Sequence, residues 1–368
     1  MKVITKLRGV LILLLLGWAS VAQAAYPSAP TLNTSGSAAY TSIATAINSW
    51  KNAWSPDRGA YNNRSTIIDN VEATLLAAGK ATITDTEYDV LADGLYWWLH
   101  QVVVEGSAAG DNRGGWYISG IGIPEWYFSD GSTLNCVWEL TQASVPIAGG
   151  GQNGYGPMLG DNVRMVLVTN LSESTIVRNS ERCSVMFSTN GENSKLLILG
   201  RKNNKIALSG GKNFPEPTSY NDVLNHAEEL TSTTGNEVIV NGGSLLTAYT
   251  SFRQNVATAA YCNYREYSTV PHQTDADGHE IGGTRVSNTD GGAVGVICKL
   301  NQLALYKTDF TNNAINVAQT SGYFGGGMSL RSISSIVDGV YMNKCSFKGN
   351  YDKGHGGGLS GYFDGGDS

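Results

Sequence analysis

Two short motifs recur together in the last third of the chain and constrain its fold more than any other feature. One is a glycine pair followed by a small or apolar residue, and the other is Phe-x-x-Asn. The last three glycine pairs recur at intervals of roughly 30–35 residues, a spacing typical of stacked structural units. The motifs begin and end at Gly242 and Gly243, Gly291 and Gly292, Gly326 and Gly327, Gly357 and Gly358, and at Phe252 and Asn255, Phe310 and Asn313, Phe347 and Asn350.

The residues between these motifs indicate which kind of solenoid the chain forms. After the pair at Gly291 the apolar stretches are very short and are separated by Asn, Lys and Gly. Such stretches suit strands of a few residues rather than helices. Glycine and asparagine favour sharp corners because both tolerate the left-handed backbone region. The pattern predicts an all-β solenoid, a parallel β-helix in which each Phe fills the interior and each Asn stacks at a turn.

The same residues resemble a known repeat. The segment GGAV at 291–294, paired with FTNN at 310–313, is similar to the GGA-(Ile/Leu/Val) plus Phe-x-x-Asn repeat of the chlamydial polymorphic outer-membrane proteins. More loosely, residues 240–368 resemble the glycine-rich, right-handed β-helix passengers of bacterial surface proteins. The resemblance implies a right-handed parallel β-helix of the pectate-lyase-like type, displayed at a cell surface.

The N-terminus has the three parts of a secretory signal peptide. Basic residues precede an apolar run that ends near Trp18, and Ala22-Gln23-Ala24 forms a cleavage site. Residues 1–24 are therefore predicted to be removed, and no later segment is apolar enough for a transmembrane helix. We expect a secreted protein, extracellular or on the cell surface, and associated with the outer membrane if the source is Gram-negative.

The remaining chain divides into three predicted regions. Residues 25–110 carry helical patterns, including Thr84 and Glu87 at capping-box spacing, and are assigned as a cap on the first coil or a separate small domain. Residues 111–160 form an aromatic-rich and glycine-rich transition. Residues 161–368 form the β-helix, which we expect to be incomplete at its C-terminus, either as a fragment or with its last coil completed by a partner.

Charge and cysteine content exclude some classes of function. The net charge of −6 argues against a nucleic-acid partner, which would require basic patches. The five cysteines are widely spaced and odd in number, which favours buried thiols over a disulfide framework.

Two groups of side chains are candidates for ligand binding. Asp275 and Asp277 precede a glycine as in the start of a calcium loop, although the rest of that motif is absent and a solvated acidic turn is the alternative. Trp116 and Trp126 belong to an aromatic-rich stretch that could stack on sugars or pack in a core. No cofactor is predicted, apart from calcium at the acidic turn.

These observations favour a binding or structural role over catalysis. The acidic residues of the repeats do not recur at matching offsets, so no paired-carboxylate site is assembled from the sequence. We expect an adhesin-like or structural surface module whose partners are host or neighbouring cell-surface components or polysaccharide. The alternative is a carbohydrate-active β-helix enzyme, a polysaccharide lyase or glycoside hydrolase, or a glycan-binding protein.

Overall fold

The described residues fold mostly into parallel β-sheets with three helices near the N-terminus, an arrangement compatible with a β-helix. A computed structural model describes residues 29–53, 65–109, 126–130, 133–147, 156–178, 185–191, 193–211, 235–257, 264–265, 273–274, 280–281, 285–286, 291–315, 325–352 and 357–363.

The three helices are α1 (Ala38–Ala53), α2 (Ser65–Gly79) and α3 (Asp85–Ala109). The predicted capping box at the start of α3 is confirmed, because the N–H of Thr84 donates to Glu87 Oε2 at 2.7 Å and the N–H of Glu87 donates to Thr84 Oγ1 at 3.2 Å. None of the helices among the described residues has the length and apolar character needed to cross a membrane.

The strands are short, as expected for a chain that turns a corner every few residues. They are β1 (Trp126–Asp130), β2 (Thr133–Leu140), β3 (Ser144–Ile147), β4 (Met158–Leu159), β5 (Val163–Thr169), β6 (Glu173–Arg178), β7 (Phe187–Asn190), β8 (Lys195–Leu199), β9 (Lys205–Ser209), β10 (Val238–Asn241), β11 (Ser244–Ala248), β12 (Thr250–Arg253), β13 (Val256–Ala257), β14 (Tyr264–Arg265), β15 (Gln273–Thr274), β16 (Glu280–Ile281), β17 (Arg285–Val286), β18 (Val294–Leu300), β19 (Gln302–Tyr306), β20 (Asp309–Thr311), β21 (Ala314–Ile315), β22 (Met328–Ile336), β23 (Val340–Asn343), β24 (Ser346–Lys348) and β25 (Leu359–Phe363).

Three larger sheets hold most of these strands. Sheet I has the order β4-β7-β10-β18-β22-β25, sheet II has β1-β2-β5-β8-β11-β19-β23, and sheet III has β3-β6-β9-β12-β20-β24. The chain visits the sheets in turn, so that β7, β8 and β9 lie in sheets I, II and III, and so do β10, β11 and β12. We call each such set of three strands a rung. Parallel pairing begins at β2, inside the region assigned from sequence to a transition.

Sheet II is buried on both faces. Leu245 and Leu303 pair in register and face the apolar core that the three sheets share. The next residues along each strand, Leu246 and Ala304, point the other way and belong to a second core formed with the helices. This alternation explains why β11 and β19 contain continuous runs of buried residues instead of the half-polar pattern of a solvated sheet.

The helices lie against the outer face of sheet II, across several rungs. Helix α2 contacts β8, β11, β19 and β23, and α3 contacts β1 and β2. Gly79, the last residue of α2, sits so close to sheet II that an added Cβ would lie 2.9 Å from Ala304 Cβ. Tyr88 of α3 is fully buried and donates a hydrogen bond to the carbonyl of Gly200 at 2.6 Å. The described helices thus cover the outer face of sheet II; an end cap or a separate small domain was predicted from the sequence.

The connections between sheets differ strongly in length. The corners from sheet I to sheet II and from sheet II to sheet III are short and contain one to five residues. The connections from sheet III back to sheet I are much longer and unequal, and they occupy residues 148–157, 179–186, 210–237, 254–293, 312–327 and 349–358.

The Phe-x-x-Asn motifs stack in register. Phe252, Phe310 and Phe347 form a column whose ring centroids lie 5.1 and 4.6 Å apart, with nearly parallel planes. We call this the Phe column. Its first two members are fully buried.

The three asparagines form a second column beside it, the Asn column. The backbone N–H of Asn255 donates to Asn313 Oδ1 at 3.2 Å, and that of Asn313 donates to Asn350 Oδ1 at 3.1 Å. Asn313 Nδ2 also donates to the carbonyl of Phe252 at 2.9 Å. Each side chain therefore bonds to the backbone of a neighbouring rung and satisfies polar groups that the turn would otherwise leave unpaired.

The glycine pairs do not all mark the same corner. Strand pairing sets Val294 opposite Met328, so Gly291 corresponds to Gly325 and not to Gly326. Both Gly291 and Gly325 have positive φ, at 92° and 77°. The next rung has Leu359 opposite Met328, which sets Gly357 and Gly358 opposite Gly326 and Gly327. Gly242 and Gly243 precede β11 in sheet II, a different corner, so this pair is not a member of the same repeat.

Candidate functional site

The corner between sheets II and III has an unusual backbone. Tyr249, Lys307 and Lys344 stand at equivalent positions in three rungs, and all have positive φ, at 46°, 46° and 56°. Non-glycine residues rarely adopt this left-handed conformation. We call these three the corner residues. Backbone strain of this kind is often found at functional sites, so the surface that the corner residues form is a candidate functional site.

A repeated side-chain contact stabilises each corner. The residue after each corner residue is Thr250, Thr308 or Cys345, and each directs its side chain to the carbonyl two positions earlier. Thr250 Oγ1 and Thr308 Oγ1 donate at 3.0 and 3.3 Å, and Cys345 Sγ does so at 3.8 Å. This local bond helps the chain to turn within one or two residues.

The corner residues line a polar groove of about 260 Å³, the corner groove. It crosses successive rungs from β6 to the corner before β24, so it follows the direction in which the strands stack. Its lining consists of charged, hydroxyl and phenol groups: Glu173, Lys205, Tyr249, Thr250, Ser251, Lys307, Asp309 and Lys344.

Helix α3 anchors one wall of the corner groove through Asp85. Its carboxylate accepts hydrogen bonds from Lys344 Nζ at 2.5 Å, Lys307 Nζ at 2.9 Å and Tyr306 Oη at 2.7 Å. These bonds to Lys344, Lys307 and Tyr306 hold the pKa of Asp85 well below its usual range. Two lysines share one carboxylate here, which leaves the wall with cationic hydrogen-bond donors.

Tyr249 connects the helix to the corner. Its hydroxyl donates to Asp89 Oδ1 at 3.1 Å and accepts from Lys307 Nζ at 2.8 Å. Burial is the main reason that the pKa of Tyr249 is raised. Burial alone would lower the pKa of Lys307, but its bonds to Tyr249 and Asp85 outweigh that effect and raise it. Tyr249 therefore stays a neutral phenol and Lys307 stays charged at neutral pH.

Charged groups of both signs lie on the strands of sheet III at the corner groove. Arg253 Nη2 donates to Glu173 Oε1 at 2.8 Å and to Thr175 Oγ1 at 3.0 Å. Asp309 accepts a hydrogen bond from Ser346 Oγ at 2.6 Å. The lining thus contains two carboxylates and three ammonium groups, which suits a polar ligand with many hydroxyl groups more than a strongly charged one.

The two carboxylates that line the corner groove are far apart. Glu173 lies on β6 and Asp309 on β20, with β9 and β12 between them in sheet III. Three inter-strand steps correspond to about 14 Å between their backbones. The paired carboxyl groups of glycoside hydrolases lie roughly 5–9.5 Å apart. Glu173 and Asp309 are therefore poorly placed to act as such a pair.

A second recess, the polar pocket, lies where α2 meets the beginnings of strands β2, β5 and β8 in sheet II. Its volume is about 410 Å³, and its lining residues all have polar side chains: Ser65, Asp69, Thr133, Asn162, Arg164, Asn193 and Lys195. Arg164 is buried at its floor, bonded to Asp69 and to Asn135 Oδ1. Lys195 pairs with Glu72 at 2.5 Å. Because each cation already has a carboxylate partner, this pocket offers no excess positive charge to an anion.

Most of the ligand-binding residues predicted from sequence fall in parts of the chain that the structure does not describe. Trp116, Asp275 and Asp277 lie outside the described residues. Trp126 begins β1, where its backbone pairs antiparallel with Val137. In the part of the chain that the structure describes, no group of three or more His, Cys, Asp or Glu side chains could hold a metal ion.

The corner residues were missed although the sequence carries a signal for them. Tyr249, Lys307 and Lys344 each stand three residues before the Phe of a Phe-x-x-Asn motif. The repeat therefore starts three residues before the Phe. Its first position is Tyr or Lys, its second is Thr or Cys, and its third is Ser or Asp. The signal was hidden because glycine and asparagine, and not tyrosine or lysine, are the residues expected at positive φ.

The choice of the corner groove as the candidate site rests on the geometry of the chain itself. No family model matches the chain, and neither a curated protein nor a solved structure matches it.

Proposed function

We propose that sheets I, II and III close around their shared core as a right-handed parallel β-helix. The cyclic order in which the chain visits the sheets supports this proposal. So does the core itself, because Val238 of sheet I, Leu245 of sheet II and Phe252 of sheet III belong to one buried cluster. On this scaffold each rung adds one short strand to every side, and the corner groove runs parallel to the axis of the helix.

The protein acts, in this proposal, as a secreted surface module that binds an extended polar polymer, with polysaccharide as the preferred class. The observation that carries the proposal is the corner groove, which presents polar and charged side chains on successive rungs. Its length from β6 to β24 is about 19 Å at the strand spacing of a sheet. A linear chain of sugar units could lie along it and meet a new set of donors and acceptors at each rung.

Binding without turnover fits the corner groove better than catalysis does. The separation of Glu173 and Asp309 speaks against a hydrolytic pair, and Asp85 is neutralised by two lysines. The signal peptide predicted at residues 1–24 supports export, which would bring the module to extracellular or cell-surface glycans. Other components of host or neighbouring cells are the alternative partners.

The proposal is tested by a glycan-array screen of the mature chain, from Ala25 onward, with a parallel assay for released reducing or unsaturated sugar ends. We expect binding to at least one linear polysaccharide and no product. Lys205→Ala removes one exposed charged donor from the corner groove and should weaken that binding roughly tenfold, or about 1.4 kcal/mol.

Lys202→Ala is the matched control, because Lys202 is also exposed but does not line the corner groove. It should bind as the wild type does. Product release would replace the binding role with an enzymatic one, and equal weakening by both substitutions would place the ligand elsewhere on the surface.

A further inference from the structure

Strand register aligns one residue from each of five rungs along the corner groove. We call these residues the corner column, and in rung order they are Glu173, Lys205, Tyr249, Lys307 and Lys344. Ser251 and Asp309 line the corner groove beside this column, two residues farther along the chain than Tyr249 and Lys307. The corner groove therefore has one side on which lysines prevail and another side that carries a hydroxyl and a carboxylate.

The lysines of the corner column keep N–H donors that the protein does not use. An ammonium group has three such donors. The side chain of Lys205 is exposed and has no hydrogen-bond or ion-pair partner among the described residues. Lys344, with 54% of its side chain exposed, bonds within the described part of the chain to Asp85 alone. Lys307 divides its donors between Asp85 and Tyr249. Lys205 and Lys344 are thus the two cations best placed to bind an oxyanion.

The carboxylates of the corner groove limit how much negative charge a ligand can carry. Asp309 is exposed, and its described hydrogen bond is the one that it accepts from Ser346 Oγ at 2.6 Å. It can accept further hydrogen bonds from ligand hydroxyl groups, but it repels a negative group placed beside it. Glu173, at the end of the corner column, is already paired with Arg253. Negative ligand groups are therefore favoured only opposite the lysines.

We propose, on the basis of the binding function proposed above, that the ligand of the corner groove is a linear polysaccharide with oxyanions at intervals. The oxyanions are uronate carboxylates or sulfate esters, and neutral hydroxylated sugars separate them. Lys205 lies two strand steps from Lys307 and three from Lys344, which is about 10–14 Å. This distance is comparable to the length of an extended disaccharide. Charged groups on alternate sugars would then face Lys205 and Lys344, and the hydroxyl groups between them would meet Ser251 and Asp309.

Isothermal titration calorimetry of the mature chain with two matched pairs of polymers tests the proposal. Hyaluronan, in which uronate alternates with a neutral sugar, is compared with its carboxyl-reduced form. Keratan sulfate, which carries sulfate esters and no uronate, is compared with its desulfated form. We expect one charged polymer to bind at least roughly tenfold more tightly than its neutral counterpart. Salt at about 1 M should remove this difference, because it screens exposed charges.

Polygalacturonate, which has a carboxylate on every sugar, tests whether the spacing of charge matters. It should bind more weakly than the preferred polymer of the matched pairs, because some of its carboxylates must lie beside Asp309. Tighter binding of polygalacturonate would overturn the requirement for neutral sugars between the charges.

Lys205→Ala separates the effect of charge from an effect on the fold. It should weaken binding of the preferred charged polymer roughly tenfold and leave binding of its neutral counterpart unchanged. Lys202→Ala, at an exposed lysine that does not line the corner groove, should bind both forms as the wild type does. Unchanged binding of the charged polymer by Lys205→Ala, or equal loss for both forms, would contradict the role given to this lysine.

The outcomes also distinguish this proposal from the function on which it rests. Equal affinity within both matched pairs, or binding to glycans of the array but to none of these polymers, would overturn the intermittently charged ligand and leave polysaccharide binding in place. An array on which no linear polysaccharide binds would overturn both.

Discussion

The inner and outer sides of one corner follow different rules, although they are only three residues apart in sequence. Inside, three rungs repeat the same residues, Phe and Asn, in columns with regular spacing. Outside, the equivalent positions hold Tyr249, Lys307 and Lys344, which share a backbone conformation but not a side chain. Side chains in the interior must pack against their equivalents in the neighbouring rungs. Those on the exterior need only to allow the backbone conformation of the turn. The corner can therefore vary its surface chemistry without losing its fold.

Truncation of the Phe column should produce the largest effect. Phe310→Ala leaves a cavity between two stacked rings, and we expect a loss of about 3–5 kcal/mol in the free energy of unfolding. Urea denaturation measures this loss. Phe347→Ala, at the half-buried end of the column, is the control and should cost clearly less. Equal losses would mean that the column is no more tightly packed in its middle than at its end.

The Asn column should come next. Asn313→Ala removes a side chain that donates to Phe252 and Asn350 and accepts from Asn255. Each buried polar group left unpaired costs about 1–3 kcal/mol, and the same denaturation experiment reports the sum.

Asn312→Gly is the matched control one residue earlier. Asn312 has a φ of 54°, and Gly349 occupies the equivalent position in the next rung, so glycine fits that conformation. The control should change stability little. A loss comparable to that of Asn313→Ala would show that the turn conformation matters more than the Asn column.

Glu237 departs from the regular interior and should give an effect that depends on pH. Its side chain is fully buried, where the next rung has Ala293, and neither carboxylate oxygen has a hydrogen-bond partner among the described residues. Burial, opposed in part by Arg178, raises the pKa of Glu237 well above its usual value.

Because its pKa is raised in the folded state, Glu237 favours folding more at low pH than at high pH. The stabilising contribution of protonated Glu237 is complete below the unfolded pKa of about 4.3, and it is lost as pH rises toward the folded pKa. Glu237→Gln does not titrate, so its stability relative to the wild type should increase as pH rises from about 4 and should level off at the folded pKa of Glu237. Unfolding free energies of the two proteins that run parallel over this range would contradict the raised pKa.

The smallest effect should come from the outer side, at Asp85. Its pKa is lowered by Lys344, Lys307 and Tyr306, so its contribution is present above the unfolded pKa of about 3.9 and is lost as pH falls through the folded value. Because its side chain is 42% exposed, solvent screening limits the loss in Asp85→Asn to less than about 1 kcal/mol at pH 7. The difference from the wild type should vanish in strong acid. A difference that persists there would assign Asp85 a role other than charge pairing.

The sequence predicted the interior better than the exterior. The Phe-x-x-Asn spacing indicated stacking because identical residues at a fixed interval can form columns, and the capping box at Thr84 and Glu87 located the start of α3. The apolar faces of the helices were also visible. Their docking on sheet II was not, because an amphipathic pattern shows that a face is buried without showing which surface buries it.

Two other features could not be predicted from short motifs alone. The glycine pair at Gly242 has the same letters as the pair at Gly291 but lies at a different corner, since glycine suits any tight turn. The contact of the corner groove with α3 could not be anticipated either. It depends on Asp85 and Tyr306, which are far apart in sequence and meet only when α3 packs on sheet II.

The unequal return connections from sheet III to sheet I have a practical consequence. The strands before and after a return connection keep their register whether the connection is long, as at 254–293, or short, as at 349–358. The structure of a rung therefore does not depend on the length of the connection that precedes it. Foreign peptides inserted along this edge should leave the framework unchanged, and several could be carried in parallel at a spacing set by the strands. The molecule is thus a natural starting point for a scaffold that presents epitopes or short recognition sequences in a defined row.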